Sequence, residues 1–472
     1  MHLIDYLIFL LYFLMVLFVG FFFYRRNKSR EDYFVGGRKM SANHIGLSIV
    51  ATDVGGGFSI GLGGLGFIMG LSGSWLLFTG LVGAWLSAIL IVPKIKRIDR
   101  QMGMLTFPDF LRHRYNDRVA LIAAVISGIG YLGFTGAQIL AGAKLAAGSV
   151  FSNITWMDPL HLSLYIMAGV VLVYTVLGGI KAVIYTDTIQ WIVLLGGLLF
   201  FGVPFAYFQA GGWEVISTQL PAEYFSLTNL PLSQFINWFF TIVPIWFIAM
   251  TLYQRIYACR NRKEAQKAFY IAGLLEYPLM AFLGVFLGMI AKIWFPNAEA
   301  EMGMPMLLRD VLPVGVTGIV LAAYFSAIMS TADSCLIASS GNFVNDIVER
   351  YLVKNASDKK LIGISQLVTL LVGGTALMIA AAFETVLEII LNAYSFMVAG
   401  LLFPTLIAYF STVRKPAAAM FSMLGGGGIT LILIFWGIPL PFGLDAAVYG
   451  MFTSAIIYLI TASFIKEPAA SP

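Results

Sequence analysis

The chain has 472 residues, 59% hydrophobic and only 11% charged, with a mean hydropathy of +0.87. A soluble domain carries about 25% charged residues, so composition excludes a water-soluble globular protein and specifies a polytopic membrane protein in a lipid bilayer. The net charge of +5 sits in short loops between apolar runs, which speaks against a nucleic-acid partner.

A membrane-crossing helix needs about 20 apolar residues. By that measure the chain divides into about thirteen spans, at 3–24, 43–69, 74–93, 119–147, 160–177, 185–207, 233–253, 268–295, 314–339, 361–382, 386–409, 416–436 and 445–464. The first has no basic leader and runs straight into Arg25 and Arg26, so it reads as a true span rather than a cleaved signal. Basic clusters follow the odd spans: Arg25, Arg26, Lys28, Arg30, Arg38 and Lys39; then Lys94, Lys96, Arg97, Arg100, Arg112 and Arg114. They recur at Arg255, Arg260, Arg262, Lys263 and Lys267, at Arg350, Lys354, Lys359 and Lys360, and at Arg414 and Lys415. Positive loops stay inside, so the reading is an outside N-terminus and a cytoplasmic C-terminus with Lys466 in a cell (plasma) membrane.

Span two carries Asp53 followed by Gly55, Gly56 and Gly57. A mid-bilayer charge costs roughly 2.5–3.5 kcal/mol on insertion scales and usually faces a cavity. Each glycine weakens a helix by about 1 kcal/mol relative to alanine, so span two is expected to break there. Span seven holds Pro244, which removes a backbone donor. Interrupted helices five spans apart fit two inverted repeats, 43–207 (spans two to six) and 233–409 (spans seven to eleven). Residues 1–42 and 416–472 would flank them as an extra helix with its loop and as two C-terminal helices.

In span nine, Ala327, Ser330, Thr331 and Ser334 follow i, i+3, i+4, i+7 spacing and share one helix face. Hydroxyls and loosened carbonyls suit a small hard cation such as Na+, with Ala51 and Val54 of span two supplying carbonyls opposite. Asp333 and Asp187 lie at matching depth near the cytoplasmic side, where they would hold a second cation; alternatively, Asp187 caps a helix N-terminus. Asp53 would bind a cation or a solute ammonium. Phe58, Gln138, Trp246 and Tyr253 are further solute contacts, although aromatics at helical spacing more often pack. Glu276 and Glu388 are intramembrane carboxylates by hydropathy, with faces that the sequence does not place. Cys259, Cys335 and four scattered histidines give no metal spacing and no nucleophile–histidine pair, which argues against an enzyme.

Four stretches, DYFVGGR (Asp32–Arg38), TFPDFLRHRY (Thr106–Tyr115), GGIKAVIYTDTIQ (Gly178–Gln190) and AAYFSAIMSTADS (Ala322–Ser334), resemble the sodium:solute symporters in the family's order. The resemblance implies an all-α membrane protein with an inverted five-helix-repeat (LeuT-like) core and Na+-driven uptake of a small organic solute. It implies a sodium site at Ala51, Val54, Ala327, Ser330 and Thr331. A second site would use Asp187 with Asp333 and Ser334, Asp333 standing where relatives carry a hydroxyl. ATDVGGGF and MSTADS look like the choline-carrier branch, which however has tryptophans at Asp53 and Ala249; loss of both removes much of an aromatic cage. Proline-type carriers are similar at Asp53. An amine-bearing, amino-acid-like solute is therefore expected, with choline or betaine, sugars and vitamins as other classes. A proton-coupled carrier and a solute sensor are the rival functions, and no obligatory protein partner is evident.

Overall fold

A computed structural model describes residues 1–24, 35–353, 357–437 and 439–465. The basic residues Arg25 to Arg30, Lys354 and the tail with Lys466 lie outside the described residues. Among the described residues the regular structure is helical, with one isolated bridge between Met40 and Cys259. A bilayer imposes this, because backbone groups in hydrocarbon must find partners within their own segment.

The helices Leu3–Tyr24, Ala42–Met69, Trp75–Leu90 and Asp117–Gly148 coincide with spans one to four to within a few residues. Asp358–Ala382, Val386–Phe410, Pro416–Trp436 and Ala446–Phe464 do the same for spans ten to thirteen. Span nine, Val316–Phe343, is the central column. Its apolar window is 94% buried, against 28% for spans ten and thirteen, and it packs against spans one, two, four, six and ten. The hydroxyl-rich sequence of span nine is thus kept from lipid, while the plainly apolar helices form the rim.

Three segments depart from simple spans. Helical structure runs unbroken over Pro159–Gly197, where the sequence reads two spans. A straight helix of that length would be about 58 Å at 1.5 Å per residue, nearly twice the hydrocarbon thickness. The neighbours show that the chain nevertheless doubles back. Met167, Leu172 and Val176 meet Gly142, Gly373 and Gln366, moving toward the end of the bundle that bears the basic loops. Asp187 and Gly197 then meet Ser48 and Ala323, moving away from it.

Span seven breaks, but not at Pro244. The proline stays inside Leu232–Ile248, and the chain bends by 42° at Ala249 before Met250–Ala258. Side chains satisfy the groups that the break releases: Ser87 Oγ donates to Trp246 O (2.9 Å), Tyr253 OH to Phe247 O (2.8 Å), and Thr251 N donates to Tyr131 OH (3.2 Å). In span eight, Arg262–Leu275 passes into Phe282–Trp294 through a π-helical turn at Glu276–Ala281. Pro278 lies in that turn, and the wider turn accommodates a residue that cannot donate and crowds the preceding carbonyl.

The end with the basic loops is tied by ion pairs. Thr106 and Asp109 form a capping box at the start of Phe107–Arg114. Arg112 reaches Asp109, Asp117 (2.8 Å) and Asp346 (3.0 Å), and Arg38 binds Asp99 (2.5 Å) and Met104 O (2.7 Å). At the opposite end Lys144 of span four bonds Glu299 and Glu301, each at 2.8 Å. Glu301, on the connecting helix Ala300–Val311, also accepts from the backbone N of Val386 and Leu387 at the start of span eleven. Lys144 and Glu301 are both buried. Removing one partner of a buried pair costs about 3–5 kcal/mol, so Lys144→Met should lower unfolding stability by about that amount. Denaturation of the purified protein in detergent measures it.

Candidate functional site

Gly55 alone in span two leaves helical geometry, with φ +41° and ψ −168°. That φ favours glycine. A second constraint acts at the same place: a Cβ on Gly55 would collide with Thr331, and one on Gly56 with Ile328. The two glycines let span nine approach the backbone of span two. The break frees backbone groups that need partners in a low-dielectric interior. Thr331 shares its hydroxyl proton between Ala51 O (2.9 Å) and Ala327 O (3.2 Å). Ser59 Oγ donates to Gly55 O (2.5 Å), and Gly57 N donates to Gln138 Oε1 (2.9 Å).

Ala51 O, Ala327 O and Thr331 Oγ1 therefore converge where the two helices cross. Val54 and Ser330 are buried beside them, with the Ser330 hydroxyl next to Asp187. This is a neutral, all-oxygen donor set drawn from two helices, which suits a small hard cation.

One turn toward the basic loops lies a buried ionic cluster that the sequence did not reveal. Arg255, read as the first base of a loop, is fully buried, and Asp187 with it. Arg255 Nη2 lies 3.2 Å from Asp187 Oδ2 and 3.0 Å from Ser334 Oγ, and also donates to Thr52. Its Nε donates to Ser48 Oγ (3.0 Å) and its Nη1 to Thr251 O (3.2 Å). A buried pair is tolerable only when its remaining hydrogen-bonding groups are engaged in this way. Asp187 Oδ2 is taken by Ser48 and Arg255, and its Oδ1 has no hydrogen bond among the described residues, so the carboxylate makes no cap bond to a backbone N–H. Asp187 and Ser334 both bind the protein's own cation, and Asp333 stands nearby, buried, with no side-chain partner among the described residues.

On the other side of the break is a second group of polar residues. Asp53 is half-buried and makes no hydrogen bond or ion pair among the described residues. Tyr131, Tyr394 and Glu276 are close enough to feel its charge. Glu276, on the π-turn of span eight, is fully buried with neither oxygen hydrogen-bonded among the described residues. Gly80 of span three opens the space for it: a Cβ there would fall 2.6 Å from Glu276 Oε2 and 3.9 Å from Trp246 Nε1. The Trp246 N–H and the Gln138 amide nitrogen are buried and unpartnered as well. The Phe58 ring lies 6.3 Å from that of Tyr394.

Two sequence expectations fail here. Tyr253 belongs elsewhere: it packs on Phe107 and Phe110 and bonds Tyr409, beyond the bend at Ala249. Glu388 is exposed in the first turn of span eleven, beside Thr385.

A helix broken at glycine, crossed by a hydroxyl-bearing helix at the centre of a bundle, is the interrupted-helix arrangement that secondary carriers use for their binding sites. A family model, "Sodium:solute symporter family", matches residues 33–426, and the chain belongs to that family. It is 27% identical over 467 residues to the high-affinity proline transporter of Bacillus subtilis, covering 97% of this chain and 96% of that one. It is also 27% identical to the sodium/glucose cotransporter of Vibrio parahaemolyticus, covering 97% and 90%. The fold matches a Na+-coupled sialic acid symporter, solved substrate-bound and outward-open, with TM-score 0.81 at 20% identity over all of both chains. The protein is thus a Na+-coupled solute symporter of the LeuT-like fold, and not an enzyme.

Arg255→Met, which strands Asp187, should cost about 3–5 kcal/mol of stability. Arg255→Met/Asp187→Asn should recover part of that loss, and a double-mutant cycle in detergent measures the coupling.

Proposed function

We propose that the chain takes up a compact, amine-bearing, amino-acid-like solute together with Na+. The observation that carries this is the contrast among its intramembrane carboxylates. Asp187 has Arg255, whereas Asp53 and Glu276 have no cationic partner among the described residues. An uncompensated buried charge is costly, and an ammonium group supplies the missing partner. Tyr131, Tyr394, Phe58 and the Trp246 N–H provide the apolar and polar walls of a small site. The proline-transporter relatives support an amino-acid-like solute.

Na+ would bind at Ala51, Val54, Ala327, Ser330 and Thr331, with the solute beside Gly55, Gly56 and Gly57. By bridging spans two and nine, the ion fixes the geometry of the break and so the position of Asp53. The bundle then alternates between outward-open and inward-open states, and Na+ leaves toward the cytoplasm. Each charge moved inward gains about 2.3 kcal/mol per 100 mV. Asp187 and Ser334 are engaged by Arg255, with Asp333 nearby, so this second locus acts as a fixed ionic brace, and one Na+ per cycle is the stoichiometry that this arrangement favours.

In this reading, residues 43–207 and 233–409 form the inverted repeats, a division supported by the breaks in spans two and seven, each the first helix of its repeat. The N-terminus lies outside and the C-terminus in the cytoplasm of the cell membrane.

The test is Na+-dependent binding of a panel of amino acids, choline, betaine, sugars and vitamins to the wild type, Asp53→Asn and Glu276→Gln. An amino acid should bind, and each variant should weaken it by at least about tenfold, the scale of a lost charge-assisted hydrogen bond. A sugar bound equally by all three proteins would refute the amine assignment.

A further inference from the structure

At the end of the bundle bearing the basic loops, a cavity of about 290 Å³ opens between the helix Val92–Met102, the helix Phe107–Arg114 and the end of span eleven. Lys94, Arg97 and Arg114 line it, with Ile98, Phe110 and Tyr409 as apolar wall. Arg414 faces Arg114 and His113 from the following loop.

Several neighbouring bases are neutralised: Arg38 and Lys96 by Asp99, Arg112 by three aspartates, Arg260 by Glu264. Here, among the described residues, no carboxylate pairs with Lys94, Arg97, Arg114 or Arg414. Two of the four have a structural task. Lys94 Nζ donates to Tyr409 O (3.1 Å) and lies 3.7 Å from the Phe410 ring centroid, and Arg114 Nε donates to Ala408 O (2.7 Å). These are terminal carbonyls of span eleven, where cations are favoured. That cap uses one nitrogen of each residue. It leaves the outer guanidinium nitrogens of Arg114 without a hydrogen bond among the described residues, and the Nε of Arg414 is buried and unpartnered. The crowding is felt: burial and then Arg114 lower the Lys94 pKa, while burial and then Arg414 lower that of Arg114.

We infer that this cavity is a phosphate-binding site, filled by the headgroup phosphate of an anionic phospholipid of the adjoining leaflet. Planar guanidinium groups and a lysine around one concavity match phosphate geometry. The apolar wall of Ile98 and Phe110 suits the lipid's glycerol and acyl root. Basic pockets between membrane helices on this side are where such headgroups bind. Occupancy would pin Val92–Met102 against span eleven and bring anionic lipid to the mouth of the carrier.

The test is thermal unfolding of the full-length protein in detergent at fixed ionic strength. Phosphatidylglycerol, phosphatidylcholine and inorganic phosphate are titrated separately. Phosphatidylcholine carries the same phosphate but adds a quaternary ammonium that the basic wall repels. The variant is Arg97→Gln/Arg414→Gln, which spares both cap bonds; the control is Lys263→Gln/Lys267→Gln, which removes equal charge from exposed positions. Phosphatidylglycerol should raise the midpoint and phosphatidylcholine should not. The half-saturating phosphatidylglycerol concentration should rise by at least about tenfold in the variant and stay unchanged in the control. Inorganic phosphate reproducing the shift, with the same loss in the variant, would keep the phosphate site and make its occupant soluble. No response to either, or equal loss in variant and control, would overturn the site.

Discussion

The structure depends on the interruption of span two, held open in a medium that punishes interruption. At Gly55 the backbone of span two turns out of helical geometry in the middle of the bundle, where unpaired carbonyls and amides cost several kcal/mol each. Span nine meets that cost. Its Thr331 donates toward Ala51 and Ala327, and its Ile328 lies where any side chain at residue 56 would stand. In the proposed reading, the same oxygens that stabilise the break would hold Na+. Structural necessity and ion recognition would then be one feature of span nine, which is both hydroxyl-rich and deeply buried.

The intramembrane charges sort by whether the protein supplies a partner. Lys144 with Glu301 and Arg255 with Asp187 are closed within the chain, and each joins segments distant in sequence. Asp53 and Glu276, near enough to feel each other's charge, have no such partner among the described residues. Closed pairs brace the bundle on either side of the break, and the open carboxylates lie between them. Desolvation makes the open ones unfavourable in isolation, a cost that the proposed ammonium-bearing solute would relieve.

Much of this was legible from periodicity and composition. The 20-residue apolar measure placed spans one to four and ten to thirteen to within a few residues of the helices. The glycine triplet beside Asp53 and the hydroxyl face of span nine pointed to the crossing that the structure shows. What escaped was decided by local bends. Trp246 and Tyr253 are seven residues apart and share a face of a straight helix, but the 42° bend at Ala249 falls between them and sends Tyr253 to a separate aromatic cluster. Helix continues past that bend to Ala258, so Arg255, which reads as loop, lies inside the bundle. The only hint was Thr251, one turn earlier on the same face. Glu276 was visible as a charge in an apolar run, but its direction depends on the π-turn at Pro278, which shifts the helical phase by about one residue.

The most direct test of the central claim compares thermal midpoints of the wild type and of Ser330→Ala/Thr331→Val in Na+ and in K+ at one pH and ionic strength. An ion that binds only the folded protein must stabilise it. If Na+ bridges spans two and nine, Na+ but not K+ raises the wild-type midpoint, and the double variant loses that difference. Equal midpoints in the two salts, or a Na+ shift that survives both substitutions, would contradict the account.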